Sequence, residues 1–594
     1  MCGIVGYIGD REAQPVLVNS LRRLEYRGYD SCGIAVLNGK IKTYKDIGGV
    51  AKLAESVSPM NGGIGIGHTR WATHGRPSQV NAHPHLDCQG KIAVVHNGVI
   101  DNFQELRDTL TAEGHVFRSE TDTEVIAHLV EKYFRGDLVE AVKSTLADIE
   151  GSYAVVVIHT SASGLVIARN GSPLVVGIGD REYFIASDVP ALLDYTNKVY
   201  YLEDRDIGLL EKDGLQVEND GHAVKRQEHQ ISWSVEETEK DGYEHHMLKE
   251  IHEQPKVIEK TIRGRLSTVE PVIDTGIVKG NKIRDILFLA CGTSYHAALV
   301  GEHVIQSLAG IPARAKMASE FGNGDAIVNG TWTIGISQSG ETSDTLKALK
   351  IAADLSCPTL AITNVMGSSI TRIADQTFYL NAGPEISVAA TKSFASQLIA
   401  LYLLALSHAK VDIKTRKNLI NELRLLPDKV KQLLDNQEQI IKWSSYLAQF
   451  DNAFFIARGI NMPVALEGAL KMKEISYIHA EGYAAGELKH GPLALLTPKT
   501  PVVGIAARDS SYEAMLTNIK EVEARDTPVI CLAEEDDYEI EKYVFGVIRV
   551  PRVNTLFSPL INAIALQVLA YYTARERRCP IDKPRNLAKS VTVG

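Results

Sequence analysis

A chain of 594 residues, 45% hydrophobic and 23% charged, has the make-up of a soluble globular protein, long enough for about three to five folding units that each bury a core. Its 63 basic and 73 acidic residues give a net charge of −10. With no Lys/Arg-rich block, a nucleic-acid or anionic-membrane role has little electrostatic support.

The seven cysteines are scattered, odd in number and without a C-x-x-C pair. Neither a disulfide framework nor a zinc or other metal site is therefore expected, and a reducing cytoplasm is. The N-terminus, MCGIVGYIGDR, lacks the layout of a signal peptide, and the longest apolar runs, such as Leu398–Leu406, fall short of the ~20 residues of a spanning helix.

In chain order, residues 1 to about 220 read as α+β. Short apolar or alternating runs are bounded by Gly, Asn and Asp turns: Gly3–Ile8, Gly33–Leu37, Ile64–His68, Lys91–His96, Tyr153–Ile158, Gly164–Ala168, Tyr183–Ala186 and Val199–Tyr201. Two helices are expected among them, at about 12–24 and 121–135. The stretch 223–248 is polar and aperiodic and reads as a linker. From about 250 the pattern becomes strand, Gly turn, amphipathic helix, the mark of a parallel sheet covered on both faces. LFLACG (287–292) aligns with FFIARG (454–459), and TLAI (359–362) with VICL (529–532). Two copies of one α/β unit, 249–415 and 416–580, joined by helices over 411–447, are the economical reading. A tail, 581–594, follows.

Cys2 follows the initiator methionine. Trimming of Met1 would leave a thiol and an α-amine on one residue, a self-contained nucleophile and base whose amine has a reference pKa of ~7.7–8.0. The Asn97-Gly98 pair reads either as a hairpin turn or as an oxyanion hole built from a carboxamide and a backbone N–H. Arg70 can hold a carboxylate bidentately. Asp122 can hold an ammonium, or start the helix as part of a cap.

Together, MCGIVGYIG, YRGYDSCG (26–33), HTRWATHG (68–75), NAHPH (81–85), HNG (96–98) and SETDTE (119–124) closely resemble the N-terminal-nucleophile glutamine amidotransferase domain. The resemblance implies stacked antiparallel sheets between helices over residues 1–222. It makes Cys2 the nucleophile on the glutamine carboxamide, with Asn97 and Gly98 stabilising the oxyanion. Arg70 and Asp122 would bind the amino-acid end, Thr73 and His74 would line the pocket, and Trp71 would gate the way to a second site.

In the second half, SQSGET (337–342) follows a strand and opens a helix. A helix N-terminus with free N–H groups is a ready anion site, and Ser337, Gln338, Ser339 and Thr342 add neutral donors. No nucleotide P-loop is present. The bland reading is hydroxyl capping of the helix. Cys291-Gly-Thr-Ser294 offers a second such loop at a neighbouring strand end. Glu467, Lys471 and Glu474 share one helix face, either as solvated pairs or buried against a site. His490 lies in a Lys-His-Gly-Pro turn, and Lys589 lies near the chain end, a Schiff-base candidate if it folds into an apolar pocket.

SQSGET, the run from Glu467 through Leu495 and PRNLAKSVTV (584–593) closely resemble the tandem sugar isomerase (SIS) domains of the isomerising glutamine–fructose-6-phosphate aminotransferases. The resemblance spans the chain and implies parallel-sheet SIS domains, no cofactor, and glutamine and fructose 6-phosphate as substrates. Thr293, Ser294, Ser337, Gln338, Ser339, Thr342 and Val388 would bind the sugar phosphate. Lys589 would form the imine, and Glu474 would move the proton between C1 and C2 with Lys471 and Glu467 assisting. His490, supplied by the partner of a homodimer, would help open the ring. Two departures stand out: Ala390 where the family has serine, and a terminal Gly594 where it has glutamate. The linker lacks the insertion of eukaryotic members. Rival readings are a phosphoribosyl-transferring amidotransferase, a deglycase or other sugar-phosphate aminotransferase, and a non-catalytic sugar-phosphate sensor.

Overall fold

The structure, a computed structural model, describes residues 2–72, 74–231, 236–267, 272–277, 283–322, 324, 327 and 330–591. It divides into two compact units, Met1–Thr238 with Ala588–Gly594, and Glu239–Leu587.

The first unit holds two antiparallel sheets. One has eight strands in the spatial order Glu228–Gln230, Lys198–Tyr201, Val175–Ile178, Tyr183–Ala186, Gly3–Ile8, Ile64–Arg70, Ser31–Asn38 and Lys40–Ile47. The other has seven: His222–Val224, Gly214–Asn219, Asp206–Glu211, Leu165–Asn170, Gly151–His159, Ile92–Ile100 and His85–Leu86. The period-2 alternation of strand side chains explains the layering. Ala93, Val95, Ala154, Val156 and Ile158 pack with Ile4, Ile8 and Ile66 in a core shared by the two sheets. Their neighbours Val94, Val155 and Val157 face the opposite way, onto Val125, Leu129 and Val130 of the helix Glu124–Tyr133.

All eight expected strands form. The expected helices are Ala13–Leu24 and Glu124–Tyr133, and three more, Val50–Ser56, Phe103–Ala112 and Leu138–Asp148, join them. Phe103–Ala112 fully buries only Leu110, and Phe103 and Leu106, on the same face, pack half-buried against that core. Within the stretch read as a linker, Glu228–Gln230 forms an edge strand on Lys198–Tyr201.

The second unit contains two five-stranded, wholly parallel sheets. Their orders are Ala313–Met317, Asp285–Ala290, Thr331–Ile336, Thr359–Thr363, Gln376–Tyr379, and His479–Ala484, Asn452–Ala457, Val502–Ala506, Val529–Glu534, Gly546–Val550. Read by position along the chain, both sheets have the order second, first, third, fourth, fifth, so the internal echo in the sequence is a repeated fold. Helices Ile413–Asp435 and Glu438–Leu447 connect them. The helix Ser558–Glu576 and the turn before it are long and apolar enough to cross a membrane by length and composition, but their apolar window is 83% buried inside the protein. That apolar surface serves the core.

Candidate functional sites

Cys2 stands at the head of the central strand Gly3–Ile8. The Trp71 N–H donates to its Sγ at 3.3 Å, and the thiol faces the Trp71 carbonyl at 3.5 Å. Asn97 Nδ2 donates to the Cys2 carbonyl at 3.0 Å, and Arg27 Nε reaches the same oxygen at 3.2 Å. Asn97 and Gly98 lie inside the Ile92–Ile100 strand, opposite Ala154 and Tyr153, so the hairpin-turn reading gives way to a strand placement. Gly98 has φ +135°, and a Cβ there would sit 1.9 Å from the Ser152 carbonyl oxygen. Only glycine fits at this position.

His68 orients Asn97. Its Nε2 lies 3.0 Å from Asn97 Oδ1 and 3.1 Å from the His96 carbonyl, two acceptors that demand an Nε2–H donor. Complete burial pushes the imidazole down to about 3, so it is neutral. With Oδ1 held in this way, the Nδ2 donors turn toward Cys2. His68 lies within the HTRWATHG motif, but nothing in the linear pattern points to this role.

Asp122 is buried, and its Oδ2 accepts the Ile100 N–H at 3.0 Å, which ties it to the end of the Asn97–Gly98 strand. Arg70, at the end of the Ile64–Arg70 strand, spends Nη2 on the His74 and Gly75 carbonyls. Its Nη1 is buried without a hydrogen-bond partner among the described residues, as is His74 Nδ1. An orphaned buried guanidinium donor is the feature a substrate carboxylate would satisfy. Thr73 lies outside the described residues.

In the second unit, Thr293 and Ser294 open the helix Gly292–Ala309 immediately after the strand Asp285–Ala290. Ser337 begins the loop after the neighbouring strand. Its Oγ accepts the Gly340 N–H at 3.0 Å and pairs with Thr342 Oγ1 at 2.9 Å. Thr342 is the N-cap of Ser343–Asp354, yet its side chain makes no capping bond. The simple capping reading therefore fails for this residue, and the helix N-terminus stays open to an anion. Ser339 Oγ accepts the Glu341 N–H at 3.2 Å. The Gln338 carbonyl accepts the Asn364 N–H at 3.0 Å, which ties this loop to the end of the next strand, Thr359–Thr363. Ser294 is positioned by Gln397 Nε2 at 2.9 Å.

Val388 is buried and donates its N–H to the Asp582 carbonyl at 3.1 Å. Two buried carboxylates brace its loop: Glu250 takes the Ser387 N–H at 3.1 Å, and Glu385 takes those of Thr391 and Ser393, each at 3.0 Å. None of these contacts uses a side chain at 390, so Ala390 leaves them intact.

Glu467, Lys471 and Glu474 share a face of the helix Met462–Ser476. Glu467 and Lys471 are each 1% exposed, which rules out the solvated-pair reading. Lys471 Nζ lies 2.5 Å from Glu474 and 3.4 Å from Glu467, and it donates to Thr293 Oγ1 at 3.2 Å. Thr293 in turn donates to Glu467 at 3.0 Å, and His296 Nδ1 is 2.7 Å from the other Glu467 oxygen. Burial works against charge on both residues. Even so, Glu474 and Glu467 hold Lys471 above the usual lysine range, while Lys471 and His296 hold Glu467 below the usual carboxylate range. Lys471 and Glu467 thus keep their charges, and the cluster joins the two SIS repeats. Sequence reasoning misses His296, Gln397 and Glu385. Of these only His296 leaves a trace, being one helical turn beyond Thr293.

His490 is exposed on the turn Ala485–His490. Lys589 is half-buried on the terminal segment grouped with the first unit. Gly594 lies outside the described residues.

A family model described as a glutamine amidotransferase domain matches residues 68–194, and one described as a SIS domain matches 281–407 and 446–577. The chain is 51% identical, over the full length of both chains, to the glutamine–fructose-6-phosphate aminotransferase (isomerizing) of Caldanaerobacter subterraneus subsp. tengcongensis. The chain belongs to that family. The protein of the same name from Methanosarcina acetivorans is 49% identical, again over both full lengths. Among solved structures, the C-terminal domain of glucosamine-fructose-6-phosphate aminotransferase from Francisella tularensis is similar, with 35% identity and a TM-score of 0.55. It covers 58% of this chain and 100% of its own. For this family member, Arg70, His74, Asn97, Gly98 and Asp122 fall inside the amidotransferase match. The residues from Thr293 to Val388 and from Glu467 to His490 fall inside the two SIS matches.

Proposed function

We propose that this family member converts fructose 6-phosphate and glutamine to glucosamine 6-phosphate and glutamate, the first step of amino-sugar synthesis. Full-length similarity to enzymes of that name supports the reading. The observation that carries it is Cys2 beside an Asn97 carboxamide whose donors are aimed by a neutral His68.

At the first site, the α-amine freed by removal of Met1 takes the Cys2 thiol proton, and the sulfur attacks the glutamine carboxamide carbon. Asn97 Nδ2 and the Gly98 N–H stabilise the oxyanion. The protonated α-amine gives that proton to the departing amide nitrogen, so neutral ammonia leaves, and water then hydrolyses the γ-glutamyl thioester to glutamate and restores the thiol. Arg70 holds the substrate carboxylate and Asp122 its ammonium, with Trp71, Thr73 and His74 around them. Ammonia passes internally, with Trp71 as the gate, because free ammonia in water near neutral pH is mostly ammonium, which is not a nucleophile.

At the second site, Thr293, Ser294, Ser337, Gln338, Ser339, Thr342 and Val388 hold the sugar phosphate through hydroxyls, amides and a helix N-terminus. His490 of a partner subunit opens the ring. Lys589 forms an imine at C2, which ammonia displaces. Glu474 then takes the proton from C1 and returns it to C2, next to Lys471 and Glu467. The working form is a cytoplasmic homodimer. The exposure of His490 in the single chain suits a residue lent to a partner.

The test uses glutamine labelled with nitrogen-15 at the amide, fructose 6-phosphate and excess unlabelled ammonium. Mass spectrometry is expected to find labelled glucosamine 6-phosphate. Absence of that product from folded protein would overturn the reading, and an unlabelled product would overturn internal transfer alone. Sedimentation with and without a His490→Ala variant, and mixing of that variant with Lys589→Arg, tests the shared site.

A further inference from the structure

Away from both sites, the first unit brings together four side chains that the glutaminase chemistry does not use: Cys88, His115, His128 and Glu131. One donor atom from each lies within 4.8 Å of the other three. Cys88 comes from the turn between His85–Leu86 and Ile92–Ile100. His115 comes from the loop after Phe103–Ala112, and His128 and Glu131 are one turn apart on Glu124–Tyr133. Three segments remote in sequence therefore converge on one point.

Four of the six donor-to-donor separations have the dimensions of a coordination shell. Cys88 Sγ is 3.7 Å from His115 Nδ1 and 3.5 Å from His128 Nδ1. Glu131 Oε2 is 3.1 Å from His115 Nδ1 and 3.4 Å from His128 Nδ1. A tetrahedral zinc with Zn–S of about 2.3 Å and Zn–N or Zn–O of about 2.0–2.1 Å has ligand-to-ligand edges of roughly 3.3–3.6 Å.

The surroundings suit a metal as well. The Val116 N–H points at Cys88 Sγ at 3.5 Å and the Cys88 N–H at Glu131 Oε2 at 3.2 Å, so backbone donors face both anionic ligands. The other ring nitrogen of His128, Nε2, is buried without a hydrogen bond among the described residues and lies 3.7 Å from the buried carboxylate of Glu124. A carboxylate behind a ligating histidine fixes its tautomer. Phe117 packs edge-on against His128 at 4.5 Å and covers one side.

We propose that Cys88, His115, His128 and Glu131 form a structural site for a divalent zinc-class ion. Cys88 binds as thiolate and releases its proton to solvent. With one thiolate, one carboxylate and two neutral imidazoles, the charge of the filled site sums to zero, which makes its partial burial inexpensive. All four positions are taken by protein, the mark of a structural rather than catalytic site. The ion clamps the turn that leads into the Asn97–Gly98 strand to the helix that begins just after Asp122. Cysteine spacing in the sequence points to no metal because it weighs cysteine pairs, and this site uses one cysteine.

The test is made on the full-length protein, purified without metal-affinity resin, loaded with zinc and desalted. Elemental analysis is expected to find about one zinc per chain. Cys88→Ser and Glu131→Gln are each expected to cut retention at least tenfold, and Cys579→Ser to leave it unchanged. Cobalt in place of zinc is expected to give the strong visible bands of a tetrahedral site with thiolate charge transfer. Should a variant fail to fold, wild-type protein decides the matter: chelation is expected to abolish the cobalt spectrum and lower the melting temperature, and zinc to restore it. Folded wild-type protein that retains no metal, or undiminished metal in both variants, would overturn the site.

Discussion

Thr293 Oγ1 donates to Glu467 Oε1 at 3.0 Å, across 174 residues of sequence and from one SIS repeat to the other. The same hydroxyl accepts from Lys471 at 3.2 Å. One threonine at the head of a helix thus couples the sugar-phosphate loops of the first repeat to the charged face of the second.

That coupling predicts a cost for Glu467→Gln. Buried Lys471 and half-buried His296 would each lose a charged partner, and breaking a buried pair typically costs about 3–5 kcal/mol. Calorimetry is expected to show a melting transition lowered by several degrees. Glucosamine 6-phosphate formation should fall while glutamine hydrolysis persists. An unchanged transition would mean that the buried ion cluster is not stabilising.

Gly98→Ala is expected to abolish glutamine hydrolysis. The positive φ at this position costs of order 1–3 kcal/mol for a non-glycine residue, and the new Cβ would meet the Ser152 carbonyl at 1.9 Å. The strand must shift, taking the 98 N–H away from the oxyanion position. Glutaminase assays, with circular dichroism to confirm folding, check this.

Ser337→Ala removes the acceptor of the Gly340 N–H and the partner of Thr342. Loss of the hydroxyl's own bond to the sugar phosphate, about 1–1.5 kcal/mol, is expected to raise KM for fructose 6-phosphate roughly tenfold. KM for glutamine should not move. Steady-state kinetics with each substrate varied separates the two.

The glutaminase domain is expected to lose stability in acid. His68 titrates at about 3 when folded and near 6.5 when unfolded, so below pH ~6.5 the unfolded chain binds a proton that the folded chain refuses. Its stabilising share is complete above pH ~6.5 and declines by about 1.4 kcal/mol per pH unit as pH falls toward 3. Burial lowers His83, His85 and His96 in the same direction. Thermal unfolding from pH 7 to 4 is expected to show at least this slope, and His68→Gln to reduce it by about 1.4 kcal/mol per pH unit.

Much of this is legible in the linear chain. The repeated strand–turn–helix pattern foretells two parallel sheets, since strands buried on both faces need continuous apolar runs. The Cys2, Asn97, SQSGET and Glu467–Glu474 segments carry their chemistry in short contiguous stretches. Less visible is the strand Glu228–Gln230, a three-residue sheet edge in a polar stretch.

Residue type and local order are therefore enough to name the reactive groups, because a thiol, a carboxamide or a helix-opening hydroxyl brings its chemistry with it. They cannot say which neighbour will tune each group. His68 aims Asn97 from 29 positions away, His296 meets Glu467 across 171, and Cys88 meets His128 across 40. Contacts of that kind are made by strand pairing and core packing, and they exist only once the chain has folded.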